Sequence, residues 1–306
     1  MAGALRRIGR WVVRGLAALL ALAVVAAAAI WFLSDRWLGK RYTIPTRPLV
    51  GSATPPSAER GEHLARSLLA CTQCHGADFG GDKFIDSPGF AQIPAPNLTR
   101  GQGGIGARYE VADWERAIRH GVGADGRGLL VMPSSTFSYL ADPDLADLVA
   151  YLASLPPIDR QFQPRRIGPV ARLALVMKAK ELFSAETIAH AQVGGAIPVF
   201  DSARGRGSYL ARPCAGCHAE DFAGRAEPIA PDSPPPANLT PDPNEGLGKW
   251  GRDDFARALR TGKRPDGTEI DEFMPWRAYS GFTDSEVDDL WAFLQSLPAK
   301  PSRRKS

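Results

Sequence analysis

The strongest constraint on this chain is a five-residue pattern that occurs twice, in which two cysteines three positions apart are followed at once by a histidine. The two copies, 143 residues apart, are Cys71-Thr72-Gln73-Cys74-His75 and Cys214-Ala215-Gly216-Cys217-His218. The pattern is typical of c-type haem attachment, in which both thiols add to the vinyl groups of one porphyrin. The histidine, held against that porphyrin, becomes the proximal iron ligand. We therefore predict two covalently bound haem c groups.

Two other uses of paired cysteines compete with this interpretation. Half of a zinc site would need two more ligands at a second pair, and a redox dithiol does not need the adjacent histidine. All four cysteines of the chain belong to the two motifs, so no disulfide framework is available. An oxidising compartment is therefore inferred from haem attachment and not from cysteine count.

Length and charge favour two domains that do not bind nucleic acid. A chain of 306 residues is typical of two domains, each large enough to enclose one cofactor. The net charge of +4 divides into +7 for residues 1–57, −4 for 58–157, +3 for 158–200, −6 for 201–298 and +4 for 299–306. Since both motif-bearing segments are acidic, the overall basicity gives no support for nucleic-acid binding.

The N-terminus predicts a membrane anchor. Residues 15–33 carry no charge, are preceded by four arginines, and end in Trp31 and Phe32 near Trp37. This run is long enough to span a bilayer, and its aromatic end favours a retained helix. A signal peptide cleaved among residues 26–29 is the alternative. We assign residues 1–41 to the anchor and the proline-rich residues 42–57 to a tether.

The rest of the chain is an internal repeat. We predict domain 1 at 58–157, a linker at 158–200, domain 2 at 201–298 and a basic tail at 299–306. Each half should contain a helix that ends at a glycine, Gly121 or Gly262, and a final amphipathic helix that stops at Pro156 or Pro298. A further amphipathic helix is expected at 169–183. It either packs against a domain or lies on the bilayer surface.

A shared triplet, Asn97-Leu98-Thr99 and Asn238-Leu239-Thr240, fits the pattern for N-glycosylation. Its recurrence at equivalent places favours a structural role, because Asn and Thr side chains readily hydrogen-bond loop backbone. We expect the loop to wrap the haem.

The sixth iron ligand is predicted from the same symmetry. Met132 and Met274, each followed by proline, lie 57 and 56 residues after their motif histidines. The histidines outside the motifs fail this test, since His63 aligns with Tyr209, His120 aligns with Thr261, and His190 lies between the domains. Methionine ligation raises the reduction potential relative to a second histidine.

Together, the motifs, the Asn-Leu-Thr loop, Met274-Pro275 and the final Leu297-Pro298 resemble class I c-type cytochromes. Among these, the chain is similar to the multihaem cytochrome c subunits of bacterial membrane-bound alcohol and gluconate dehydrogenases. The resemblance implies an all-α fold of two tandem cytochrome c domains behind the N-terminal transmembrane helix. It also implies iron ligation by His75 with Met132 and by His218 with Met274. This chain departs from those subunits in having two haem motifs where they typically have three.

The expected function is electron transfer without catalysis, at the periplasmic face of a bacterial inner membrane. Expected partners are a dehydrogenase as electron donor and an oxidase or small cytochrome as acceptor. A dihaem peroxidase, which needs an iron free to bind peroxide, and a haem-based sensor or structural protein are the alternatives.

The haem prediction is tested by denaturing the purified protein and measuring the haem that stays attached. Two haems per chain are expected, because thioether bonds survive unfolding. The double substitution Cys71→Ala/Cys74→Ala should remove one haem and keep the other. Retention of both would contradict the assignment of the first motif.

Overall fold

The computed structural model describes residues 2–45, 49, 55–229 and 232–303, with only the backbone of residues 2–6. The α-helices among these residues are α1 (Ala2–Gly39), α2 (Ala58–His63), α3 (Thr72–His75), α4 (Val111–His120), α5 (Ser134–Phe137), α6 (Asp142–Ser154), α7 (Pro169–Leu182), α8 (Ala203–Leu210), α9 (Arg212–His218), α10 (Arg252–Thr261), α11 (Trp276–Tyr279) and α12 (Asp284–Gln295). The strands are β1 (Asp82–Ser87), β2 (Ala91–Ala95) and β3 (Arg166–Ile167). A π-helical turn covers Leu64–Leu68, and short 3-10 turns cover Ser184–Glu186 and His190–Gln192.

In each half, the first helix crosses the last helix at a glycine. A Cβ atom on Gly61 would lie 2.0 Å from the carbonyl oxygen of Asp147, and one on Gly207 would lie 1.9 Å from that of Asp289. A side chain would therefore separate α2 from α6 and α8 from α12. The preceding arginine completes the contact, as in the ion pair of Arg206 with Asp289 at 2.7 Å.

The approach to the haem motif is longer in domain 1. Ten residues lie between Arg60 and Cys71, whereas seven lie between Arg206 and Cys214. The longer segment contains the π-helical turn, in which the amide of Leu69 donates to the carbonyl of Leu64 at 2.9 Å, and Ala70 in the left-handed conformation. In domain 2, α8 and α9 follow each other with one intervening residue.

The predicted helix ends are confirmed. Gly121 and Gly262 follow α4 and α10 in the left-handed conformation, with φ of +66° and +68°. Thr283 caps α12 by accepting from the amide of Glu286, whose carboxylate accepts from the Thr283 amide in return.

The prediction of an all-α fold was wrong for residues 82–95 and 166–167. These residues form an antiparallel sheet in the order β1-β2-β3. Ile85 faces Ile93 across the hairpin, and Ala91 pairs with Ile167. Pro88-Gly89, with Gly89 at φ +87°, turns the chain between two short apolar-containing segments, which therefore pair as strands.

The two domains pack through one continuous apolar core. The helix after Met132, α5, lies on the second haem-motif helix α9, and α11 lies on the π-helical turn before the first motif. A Cβ on Gly216 would lie 2.8 Å from Thr136 Oγ1, and one on Gly281 would lie 2.3 Å from Ser67 Oγ. Both haem motifs therefore lie close to the domain interface.

Equivalent residues form the polar contacts between the domains. His63 Nε2 lies 2.8 Å from Glu286 at the start of α12, and the Tyr209 hydroxyl donates to Asp144 at the start of α6 at 2.6 Å. His63 and Tyr209 occupy the same position of the repeat. The interface is thus approximately two-fold symmetric, with one histidine in place of a tyrosine.

Helix α1 is long and apolar enough to cross a membrane, although by length and composition a signal sequence meets the same criterion. Its most apolar stretch has no buried residue, whereas its C-terminal turns pack against α7. Residues 46–48, 50–54 and 304–306, which include half of the predicted tether and the end of the tail, lie outside the described residues.

The His63 contact predicts pH-dependent stability of the domain interface. The hydrogen bond with Glu286 raises the pKa of His63. This contribution is therefore complete below the ordinary histidine pKa of about 6.5 and is lost as pH rises through the raised value. When the pH is raised from 5.5 to 8.5, the free energy of unfolding of the native protein should fall by ~0.5–1 kcal/mol more than that of His63→Tyr. Thermal unfolding at both pH values measures the difference.

The tyrosine variant copies the other half of the interface, so it should keep a hydrogen bond to Glu286 without titrating in this range. Tyr209→Phe, which removes the opposite bond, should lower stability equally at both pH values. Parallel pH profiles for the native protein and His63→Tyr would contradict a role for the histidine.

Candidate haem-binding sites

Both motif histidines are oriented by the same hydrogen bond. The Nδ1 of His75 donates to the carbonyl of Pro96 at 2.9 Å, and that of His218 donates to the carbonyl of Ala237 at 2.7 Å. Burial lowers the pKa of both imidazoles, which keeps the rings neutral. Nε2 of each ring, with its lone pair, is therefore left to bind iron.

The accepting carbonyls directly precede the Asn-Leu-Thr triplets, which are buried and internally bonded. Asn97 Oδ1 accepts from the backbone amide of Thr99 at 2.9 Å and from its hydroxyl at 2.8 Å, while its Nδ2 donates to the carbonyl of Ile158 at 2.6 Å. Asn238 repeats these bonds with Thr240 and the carbonyl of Lys300. Since Asn97 has no exposed surface and Asn238 is 4% exposed, neither amide is available for glycosylation in the folded chain.

The segment after the last helix of each domain holds the Asn-Leu-Thr loop and the turn after the haem motif in place. Arg160 binds Asp78, three residues after the first haem motif, through Nη2 at 2.9 Å. In domain 2, Lys300 and Arg303 bind Asp221 at 3.0 and 2.9 Å. The described part of the basic tail is therefore a structural contact of the second site.

Directly after Asp78 and Asp221, a phenylalanine adopts the left-handed conformation in each domain. Phe79 has φ +59° and Phe222 has φ +60°, which is uncommon for a bulky side chain. Both rings are buried and make edge contacts, Phe79 with Tyr151 and Phe222 with Phe293. Their carbonyls accept from Leu98 and Leu239, so the turn after the motif is tied directly to the Asn-Leu-Thr loop.

None of the four motif cysteines forms a disulfide bond. Burial raises the pKa of Cys71 to about 12, that of Cys74 to about 11 and that of Cys214 to about 12. Such thiols are protonated, which argues against a redox dithiol, because the thiolate is the reactive form in that chemistry. Among the described residues, no group of three His, Cys, Asp or Glu side chains is arranged to hold a metal ion, so the zinc alternative has no further ligands.

A largely apolar cleft in domain 2 brings the predicted ligands together. The volume of the cleft, including its open mouth, is about 980 Å³. The lining residues include Cys214, Cys217, His218, Leu259, Met274, Tyr279 and Leu294. In domain 1, Cys71 and Met132 are partly buried and pack on the same apolar core.

Two buried donors at the domain interface and beside Met274 fit a group that carries carboxylates. In the described part of the chain, neither the Tyr139 hydroxyl nor Trp276 Nε1 has a hydrogen-bond partner. Burial, with the nearby Tyr209 and Cys214, raises the pKa of Tyr139 well above its usual range, so it remains a donor. Haem propionates are acceptors of this kind. Sequence comparison misses these residues because the repeat has Gly281 opposite Tyr139 and Ser134 opposite Trp276.

The histidines outside the motifs have other contacts. His63 faces Glu286, as described above, and His120 Nδ1 lies 2.8 Å from His190 Nδ1. The Nε2 of His190 donates to the carbonyl of Ala185 at 3.1 Å. These contacts accord with their interpretation as packing residues.

Two haem motifs with this histidine geometry define a c-type haem protein. The family model for cytochrome c matches residues 58–156 and 202–298. The chain belongs to the cytochrome c family, whose domains bind haem c covalently, and the two matched domains indicate two such groups.

Known relatives include subunits of larger dehydrogenases. The chain is 29% identical to the fructose dehydrogenase cytochrome subunit of Gluconobacter japonicus over 84% of this chain and 56% of that one. It is 27% identical to the gluconate 2-dehydrogenase cytochrome c subunit of Pantoea cypripedii over 79% and 60%. A diheme cytochrome c-type of Cereibacter sphaeroides is 25% identical and matches 94% of this chain and 99% of its own length. The chain thus spans little more than half the length of the dehydrogenase subunits.

Among solved structures, cytochrome c4 from Pseudomonas stutzeri matches 79% of this chain and all of its own chain. The identity is 20% and the TM-score is 0.22, which is too low to compare the two arrangements.

The loop network predicts domain-specific effects of Asn97→Ala and Asn238→Ala. Each substitution leaves buried backbone groups without partners, so each should lower the free energy of unfolding by ~1–3 kcal/mol. Each should also alter the absorption spectrum of the haem in its own domain, because the carbonyl that orients the histidine precedes the asparagine.

Asn244→Ala is the matched control. Asn244 is exposed in the adjacent loop of domain 2, and its loss should change stability by less than about 0.5 kcal/mol. Spectral changes in both haems from either buried substitution would show that the two loops do not act separately.

Proposed function

We propose that this chain is a membrane-anchored dihaem c-type cytochrome that transfers single electrons without catalysing a reaction itself. The proposed attachment residues are Cys71 and Cys74 in domain 1 and Cys214 and Cys217 in domain 2. The proposed axial ligands are His75 with Met132 and His218 with Met274. The observation that carries the proposal is the repeated hydrogen bond from each motif histidine to a loop carbonyl, which leaves Nε2 of both rings for iron.

Each bound haem supplies one-electron chemistry, and the protein sets the conditions for it. The Pro96 and Ala237 carbonyls hold the imidazoles in one tautomer and one orientation, so that they need not rearrange when the charge changes. The neutral sulfur of methionine raises the reduction potential relative to a second histidine. Two protein ligands at each iron leave no open position, which distinguishes a carrier from a peroxidase.

The domain interface supports electron exchange within the chain. Each haem motif region packs against the segment that follows the axial methionine of the other domain, through the close approaches at Gly216 and Gly281. A continuous apolar core fixes this arrangement. Electrons could therefore enter at one domain and leave from the other without domain motion.

The proposed layout follows the sequence divisions given above, with anchor 1–41, tether 42–57, domains at 58–157 and 201–298, linker 158–200 and tail 299–306. We place the haem domains in the periplasm, because haem attachment and the N-terminal helix together require their translocation. The names of the relatives support a dehydrogenase as donor. As acceptor we propose an oxidase or a small cytochrome.

Methionine ligation is tested by Met132→Ala in the purified holoprotein. The native protein should show a methionine-to-ferric charge-transfer band and bind little carbon monoxide when reduced. The variant should lose about half of that band, because one of the two sulfur ligands is removed. It should also bind carbon monoxide rapidly at one haem.

Met177→Ala is the control, since Met177 is 74% exposed in α7 and should leave both properties unchanged. Rapid binding of carbon monoxide by the native protein, or turnover of peroxide, would instead favour the peroxidase function.

A further inference from the structure

Helix α7 has two apolar faces, only one of which is covered by protein. Ala171, Leu175 and Ala179 are buried against the body of the molecule. Val170, Leu173 and Met177 project from the opposite side and are 65%, 43% and 74% exposed. At 100° per residue over residues 170–177, which precede the kink at Lys178, the centre of the exposed set lies about 150° from that of Ala171 and Leu175 around the helix.

A fourth exposed apolar side chain extends this surface. Phe90, at the turn of the β1-β2 hairpin, is 43% exposed, and its carbonyl accepts from the amide of Gly168 at 2.7 Å. The hairpin turn therefore touches the start of α7. We refer to Phe90, Val170, Leu173 and Met177 as the apolar linker face.

Contacts with α1 place this face at the level where the anchor leaves the membrane. The guanidinium of Arg172 lies 3.9 Å from the centre of the Trp31 ring, and its Nη1 donates to Asp35 at 2.7 Å. Trp31 is two residues before the end of the uncharged run at Leu33, or ~3 Å along a helix that rises 1.5 Å per residue. Tryptophan at this position is typical of the membrane–water boundary.

Further contacts hold α1 and the linker in a fixed relation. Trp37 stacks on Phe183 with ring centres 6.4 Å apart, and Lys40 binds Glu186 at 2.5 Å. Arg165 donates to the carbonyl of Leu38 at 3.3 Å. The end of the anchor is thus joined to both ends of α7.

The surroundings of the face are basic. Residues 158–200 carry a net charge of +3, and Arg166, Lys178 and Lys180 are exposed. Cations beside exposed apolar side chains are the combination by which interfacial helices bind anionic lipid surfaces.

We propose that the apolar linker face inserts into the headgroup region of the bilayer, so that α7 is a second, interfacial membrane contact. This inference rests on the proposed membrane anchor. It goes beyond that anchor because a single spanning helix, even one fixed to the linker, can still tilt and rotate about its own axis in the bilayer. With α7 in the interface, domain 1 is held in one orientation on the membrane and presents a constant surface to its redox partners.

The test measures the depth of spin labels on the full-length reduced holoprotein in nanodiscs of phosphatidylcholine and phosphatidylglycerol. The native cysteines are all assigned to haem attachment, so an introduced cysteine supplies a single labelling site. Labels replace Met177 in the apolar linker face, Leu20 in the anchor, and Val111. Val111 is an apolar control that is 51% exposed at the end of α4 away from the linker.

The expected result is a ratio of oxygen to nickel-chelate accessibility several-fold higher at position 177 than at 111, and highest at position 20. If the label at position 177 has the same accessibility ratio as the one at 111, while the label at position 20 lies in the membrane, the inference is overturned and the anchor stands. A label at 20 in water overturns the anchor and the inference together.

Two other occupants of the face give different results. Dipolar broadening between labels at 177 of different chains would assign the face to a second copy. Protection of 177 only after a purified dehydrogenase is added would assign it to a protein partner. Either result overturns the proposal of a lipid contact.

Discussion

The structure depends most on one hydrogen bond per domain, from the Nδ1 of the motif histidine to a backbone carbonyl. An imidazole that shares a short helix with two cysteines would otherwise rotate freely about its side-chain bonds. The carbonyl fixes both the ring plane and the tautomer, and the buried Asn-Leu-Thr network holds that carbonyl. The left-handed Phe79 and Phe222 and the ion pairs of Asp78 and Asp221 support the same loop, so much of each domain serves to position one nitrogen atom.

The interface between the domains uses the same contacts twice. Each half contributes the same elements. A motif region packs on the helix that follows Met132 or Met274 of the other domain, and an aromatic residue of the first helix reaches the acidic start of the other domain's last helix. Approximate two-fold packing is an expected outcome of a duplicated chain, because one self-complementary patch then satisfies both copies. With His63 in place of a tyrosine, one of the two contacts gains a basic group, which can carry a positive charge opposite the carboxylate of Glu286.

The domains differ where the molecule meets its surroundings. Domain 1 has the hairpin and the attached linker helix α7, which packs against the anchor. It also has the longer approach to its motif, which lies against α11 of domain 2. Domain 2 instead uses its basic C-terminal segment to close its own site. The hairpin, the linker helix and the basic C-terminal segment therefore lie outside the core that is common to both domains, whereas the longer approach to the first motif is buried in it.

The sequence alone determined the haem motifs, the two-fold repeat, the apolar N-terminal helix and the ends of α4 and α10, because each depends on residues close together in the chain. It failed at residues 82–95, where a loop rich in proline and glycine pairs as a hairpin and is extended by β3 from 71 residues beyond. Only the tertiary structure decided which carbonyls orient the histidines, that Gly61 and Gly207 mark helix crossings, that Tyr139 and Trp276 are unpaired donors, and that α7 leaves an apolar face beside the anchor. These features arise from contacts between distant segments, and local pattern and propensity do not encode which segments meet.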